Sequence, residues 1–336
     1  MTSLNPATGE HIKDYEETSA TEVEQALQAA SSAFAEWRNL DFTKRAAPLK
    51  IASTLLHEKK EEYARLMALE MGKPIAQGRS EVDKCASVCD YFAENAERFL
   101  APETVQTDAS KSFVTFQPLG PILAVMPWNF PFWQVFRAAA PALMAGNALI
   151  LKHAANVPGC AEAIGEVFQK AGLPAGLFSN LRLDNERAEA LIDHPAIKAA
   201  TLTGSVRAGR AIAARAGKAL KKVVLELGGS DPYVVLEDAD LEKAVEICVT
   251  ARLINSGQSC IAAKRFIVVK SVRKQFEQLF VEQMKAHKTS DPLDESVAVG
   301  PMARDDLRRE LHKQVEHSIA QGARLLLGGK LPEGKG

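Results

Sequence analysis

Cys260 closes the run NSGQSC (255–260), a string of small polar residues that precedes IAAKRFIVV. A structural cysteine favours an apolar surround. A nucleophilic thiolate favours backbone N–H groups, a polar rim and some access to solvent, and Cys260 fits that description. Glu226 lies 34 residues earlier, inside the apolar run VVLELGG. Burying it as an anion is costly, so burial would raise its pKa and suit a general base near neutral pH. The competing reading is a strand-edge glutamate facing solvent. PWNFP (127–131) holds Asn129 between Trp128 and Phe130, with a proline on either side. Proline stiffens the backbone, and a rigid turn that aims one amide suits an oxyanion donor. The alternative is an aromatic loop packed on the core, with Asn129 capping the turn.

Two further groups could meet a nucleotide. TGSVRAG (203–209) places Gly204 at a tight turn and Ser205 at a helix start, where free N–H groups hold anions such as pyrophosphate. Plain capping is the competing reading. Lys152 ends ALIL and reads either as a solvated stop or as a donor to ribose and phosphate. The chain contains neither G-x-G-x-x-G nor G-x-x-x-x-G-K-[ST], so an ordinary dinucleotide fingerprint and a Walker loop are both absent.

The elements that must position these residues follow from periodicity. Thr21 and Glu24 suggest a capping box before a helix over 23–37, and two long helices follow over 42–70 and 80–99. Short strands are then expected at 112–118, 121–127, 147–152, 196–204, 221–229, 232–237 and 265–270. Helices separate the later ones, over about 158–171, 206–216, 240–255 and up to about 288. Apolar strands alternating with helices indicate a parallel sheet covered on both faces, with ligands at the carboxyl ends of the strands. Trp128, Lys152, Gly204 and Glu226 all fall at such ends.

Composition excludes several classes. The 336 residues are 46% hydrophobic and 25% charged, with a net charge of −1. That charge gives no field for nucleic acid or an anionic membrane. No apolar run reaches the roughly 18 residues of a membrane span, and no secretory signal core stands at the start, which points to the cytoplasm. Cysteines 85, 89, 160, 248 and 260 are odd in number, and none has a partner at a zinc spacing. Neither a disulfide framework nor a metal site is expected. Cys85 and Cys89, four apart, read as small apolar residues on a helix face.

Taken in order, PWNFP, LK, TGSVRAG, ELGG and GQSC resemble the aldehyde dehydrogenase superfamily, and ELGGSDPYVVLEDADLEKA is close to family sequence. The resemblance runs from NPATGE to the last residues. It implies an α/β fold, aldehyde-dehydrogenase-like: a Rossmann-type parallel-sheet cofactor domain (1–227) and part of an α/β catalytic domain (228–336). An oligomerisation hairpin would be inserted at about 100–118. It also implies roles. Cys260 would be the nucleophile, Asn129 and the Cys260 N–H the oxyanion donors, and Glu226 the base that activates water. Lys152 would contact the adenosine ribose of NAD or NADP. Gly204 and Ser205 would meet the pyrophosphate, with Gly209 letting the helix approach, and Trp128 and Leu227 would line the nicotinamide end.

Two departures refine this. Many NAD-preferring members carry a glutamate three residues after the lysine, where this chain has Ala155, so NADP+ is expected to be accepted alongside NAD+. NFPFWQVFRAAAPALMAGNALILKHAANV and NSGQSCIAAKRF look most like bacterial succinate-semialdehyde dehydrogenases, and Arg137 matches an arginine that binds the distal carboxylate there. A second arginine, six residues before the nucleophile in some members, is Ile254 here, with Arg252 two residues earlier. Family members continue beyond LLLGGKLPEGKG. A C-terminally shortened chain is therefore expected, with weak or no turnover, a weakened homo-oligomer, and a hairpin whose unpaired edge favours aggregation. The alternatives are an aldehyde dehydrogenase for another small aldehyde, a non-catalytic cofactor-binding partner, and a thiol hydrolase or acyltransferase. The last would need a histidine base, and no triad-like motif supplies one.

Overall fold

The computed structural model describes residues 1–332. Two short strands, β1 (Thr2–Leu4) and β2 (His11–Asp14), open the chain, followed by α1 (Ala20–Trp37), α2 (Phe42–Glu58), α3 (Lys60–Met71) and α4 (Ile75–Phe99). The cap of α1 is Ser19, two residues before the one expected. Its Oγ accepts from the Glu22 N–H at 3.2 Å and its own N–H donates to the Glu22 carboxylate at 2.7 Å. The single helix expected over 42–70 is two helices, broken around Lys59.

Contacts divide the chain into two compact units. The first comprises Met1–Ser3, Asp14–Tyr63 and Arg79–Leu227. The second comprises Leu4–Lys13, Ala64–Gly78 and the chain from Gly228 onward. Two N-terminal segments thus group with the later part of the sequence, which a linear division at 227/228 does not anticipate.

In the first unit, β3 (Glu103–Thr104) and β4 (Phe113–Val114) pair antiparallel, Glu103 opposite Val114 and Thr104 opposite Phe113. Among the described residues the two strands pair only with each other, and the strand expected over 112–118 shrinks to two residues. The main sheet follows: β5 (Pro121–Met126), α5 (Trp133–Met144), β6 (Ala148–His153), α6 (Pro158–Lys170), β7 (Phe178–Asn180), α7 (Asn185–Ala190), β8 (Ala199–Gly204), α8 (Val206–Lys218) and β9 (Lys222–Leu227). Its order is β7-β6-β5-β8-β9, with all neighbours parallel. In chain order that is 3-2-1-4-5, the doubly wound Rossmann arrangement, whose direction of winding reverses between β5 and β8. All six residues of β6 are buried, as a central strand covered on both faces requires.

The last strand departs from that rule. Along β9 exposed residues alternate with half-buried ones, and Val224 is 60% exposed. It is an edge strand with one face open, and Glu226 lies on that face.

In the second unit, β10 (Pro232–Val235), α9 (Leu241–Leu253) and β11 (Arg265–Val268) form a crossover with the two strands parallel. The helices α10 (Arg273–Ala286) and α11 (Asp305–Ala320) follow. Val235, Val245, Cys248, Val249 and Phe276 form the core, with Phe266 and Phe280 packed against it, their ring centroids 5.1 Å apart. The segment carrying Cys260 links α9 to β11.

Candidate active site

The carboxyl ends of β5, β6, β8 and β9 lie along one edge of the parallel sheet, and most of the predicted residues of the first unit cluster there. The turn after β5 carries Trp128 and Asn129, both half-buried, beside the reversal point of the sheet. Two buried groups fix this turn. The Glu81 carboxylate accepts from the N–H groups of Phe132 and Trp133, each at 2.9 Å, and so caps α5, which has no cap of its own. His153 accepts at Nδ1 from the Ala154 N–H at 2.7 Å. Its Nε2 lies 2.9 Å from the Pro131 carbonyl oxygen and donates to it in the neutral tautomer that this pairing selects. Burial pushes the imidazole pKa down to about 4, more than the Pro131 contact raises it, so the ring is neutral at pH 7. The Asn129 side-chain oxygen accepts from the Phe130 N–H at 3.1 Å.

Lys152 is no solvated stop. It is 6% exposed, and its ammonium donates to Asn185 Oδ1 at 2.7 Å. Burial lowers its pKa, opposed by Asp184. Ala155, in the turn beyond β6, is exposed. Ser205 caps α8, its Oγ accepting from Ala208 N–H at 3.2 Å, while Gly204 ends β8 opposite Leu227 of β9. A Cβ on Gly209 would lie 2.7 Å from Leu227 Cδ2, so α8 approaches β9 closely there and any larger residue would displace the Leu227 side chain.

Of the two readings the sequence left open for Glu226, the solvent-facing one holds. Its side chain is 56% exposed because β9 is an open-faced edge. It lies opposite Thr203 on β8 and within 3.8 Å of Arg137 Nη1. Arg137, on α5, also donates from Nη2 to Thr203 Oγ1 at 2.6 Å and from Nε to Gln134 Oε1 at 2.8 Å. Arg137 is thus held on the sheet edge beside Glu226 and is not a free surface arginine.

In the second unit, Cys260 is half-exposed, whereas the other four cysteines are buried. The turn before it holds three successive left-handed residues: Asn255 (φ 54°), Ser256 (φ 55°) and Gly257 (φ 75°). Two of these are not glycine, a strain of about 1–3 kcal/mol each that neighbours must hold in place. Asn255 Oδ1 accepts from Lys73 Nζ at 2.5 Å, and Lys73 is 1% exposed. Asn255 N–H donates to Gln77 Oε1 at 2.9 Å, and Ser256 Oγ accepts from the Gly300 N–H at 2.8 Å. Beyond the turn, Arg252 donates to the Gly257 and Ala263 carbonyls at 2.6 and 2.7 Å. Arg252 is therefore occupied by backbone, and burial lowers its pKa. Lys264 donates to the carbonyls of Cys260, Ala262 and Ser259.

The sequence matches the aldehyde dehydrogenase family over residues 1–336. The chain belongs to that family. It is 50% identical over 334 residues to a succinate semialdehyde dehydrogenase [NAD(P)+] of Escherichia coli, spanning 99% of this chain and 72% of that protein. It is 51% identical to a probable succinate-semialdehyde dehydrogenase [NADP(+)] of Synechocystis, spanning 98% and 73%. Among solved structures, the succinic semialdehyde dehydrogenase of Streptococcus pyogenes, in complex with NADP+, superposes with a TM-score of 0.97 at 33% identity, over all of this chain and 74% of that one.

The sequence reading missed the residues that brace the predicted turns. Glu81, His153, Lys73, Gln77 and Lys264 sit far from the motifs they support, or beside them without a motif of their own. Only the position of His153 directly after Lys152 offered a signal.

Proposed function

We propose that this chain oxidises an aldehyde bearing a distal carboxylate, succinate semialdehyde in the first instance, with NADP+ or NAD+ as acceptor. The observation that carries this reading is Cys260, the one half-exposed thiol among five, set in a loop whose strained shape is braced from four directions. The names of the relatives from E. coli and Synechocystis support the substrate.

The residues fit a dinucleotide. Gly209 lets α8 lie close against Leu227, and with Ser205 bonded to Ala208 the first-turn N–H groups of α8 suit a pyrophosphate. Lys152 would hold the ribose, Trp128 and Leu227 the nicotinamide end, and Ala155 leaves a 2′-phosphate unopposed. When bound, the nicotinamide supplies the acceptor for the hydride. Cys260 attacks the aldehyde carbon as a thiolate, and the oxygen that gains charge is stabilised by the Asn129 amide and the Cys260 N–H. Loss of the hydride leaves an acyl-thioester on Cys260. Glu226 takes a proton from the water that hydrolyses it, and Arg137 pairs with the distal carboxylate.

The deciding experiment incubates the chain with succinate semialdehyde and NADP+ and looks for an acyl adduct by intact mass and peptide mapping. An adduct on Cys260 that is lost in Cys260→Ser supports the reading, and no adduct with any aldehyde sinks it. A panel of aliphatic and aromatic aldehydes decides between substrates. Cofactor binding without turnover is a second reading, favoured by the open face that exposes Glu226. Quenching of NADPH fluorescence in the absence of any adduct would select it. A nucleophile of this kind would need a reducing compartment such as the cytoplasm, and the family suggests a homo-oligomer.

A further inference from the structure

We propose that Lys264 is a positioning residue for the Cys260 nucleophile, gathering the carbonyls of its loop and placing a positive charge on the peptide that joins Ser259 to Cys260. The inference rests on Cys260 being the nucleophile. Lys264 Nζ lies 2.9 Å from the Cys260 oxygen, 3.1 Å from that of Ala262 and 3.3 Å from that of Ser259. Three acceptors match the three N–H bonds of an ammonium, whereas a neutral amine has two. The pairing therefore holds the group in its charged form. It does so against burial, which with Arg252 lowers the pKa overall, Cys260 and Asp231 opposing.

The Ser259 carbonyl and the Cys260 N–H are the two ends of one amide. A cation at the oxygen polarises that amide and strengthens its N–H as a donor. This N–H is the donor assigned above to the charged oxygen of the adduct. Lys264 thus acts on the reacting centre through the backbone. Arg252 clamps the Gly257 and Ala263 carbonyls of the same segment, so two cations close on a loop of eight residues or so.

The test reads charge and not merely folding. The four other thiols are buried, so alkylation addresses Cys260. Rates with iodoacetate, an anion, are divided by rates with neutral iodoacetamide. In the unsubstituted chain this ratio should exceed that of the free peptide NSGQSCIAA by about five-fold, the effect of a unit charge a few ångströms away in water. Lys264→Gln should lose that excess and Lys264→Arg should keep it. A residue that only stiffened the loop would change both rates together and leave the ratio alone. An unchanged ratio in Lys264→Gln overturns the proposal. Should that variant not fold, the unsubstituted chain still decides: its ratio must fall towards the peptide value as salt rises to about 0.5 M, and a flat ratio overturns the proposal. Label mapped away from Cys260 would instead sink the nucleophile reading on which this one stands.

Discussion

Arg137 and Glu226 face each other across the end of the sheet, Nη1 3.8 Å from Oε1, with Thr203 bonded to the same guanidinium and lying opposite Glu226 in the strand pairing. The carboxylate is exposed, so the pair adds little to stability. Its interest is chemical: the group proposed to receive a substrate carboxylate already keeps company with one. A substrate's carboxylate that takes Arg137 must compete with Glu226, and would leave Glu226 free to accept a proton.

That arrangement predicts selectivity. Arg137→Ala should slow acylation of Cys260 by succinate semialdehyde about 10- to 100-fold, the worth of a charge-assisted contact. It should leave butyraldehyde nearly unaffected. Adduct formation with both aldehydes, followed by intact mass, gives the comparison, and an equal loss with both removes Arg137 from substrate recognition.

Cofactor choice can be tested at Ala155. Ala155→Glu should weaken NADP+ binding by about ten-fold through like-charge repulsion and leave NAD+ binding in place. Fluorescence titration with NADPH and NADH measures both. Strict use of NAD+ by the unsubstituted chain would contradict the reading.

The turn before the nucleophile should resist substitution. Gly257→Ala puts a side chain at φ 75°, with a Cβ 2.7 Å from Arg252 Nη2. The left-handed backbone and the crowding together should cost about 1–3 kcal/mol, visible as a lower urea midpoint. Cys260 alkylation should change in the same variant, because Arg252 can no longer hold both of its carbonyls.

His153 should make the protein sensitive to mild acid. Its pKa is held down at about 4, below the ordinary 6.5 that the unfolded chain regains. The unfolded state then binds more protons, so the stabilisation is complete above pH 6.5 and is lost as pH falls from there to 4. The full effect is roughly 3 kcal/mol. Urea midpoints across that range should show the slope in the unsubstituted chain and lose it in His153→Gln. Equal slopes in the two would refute the assignment.

The strands of the main sheet were legible because β5, β6 and β8 are apolar runs closed by turn residues. The nucleophile loop was legible because a thiol among small polar residues has few other uses. Glu226 stayed open between burial and solvent for a reason that local sequence cannot resolve: VVLEL reads alike in a central strand and at an edge, and only the strand order decides which. Likewise, the capping box of α1 falls on Ser19 and Glu22 because the chain enters the helix two residues earlier than its apolar spacing suggests. Lys73 and Gln77 escaped notice because they support Asn255 from some 180 residues away.

That distance has a consequence for how the protein is made. On the ribosome Lys73 emerges long before Asn255, and the left-handed turn has nothing to grip until both are out and docked. The backbone around the thiol therefore takes its final shape only with the closing of a long-range contact.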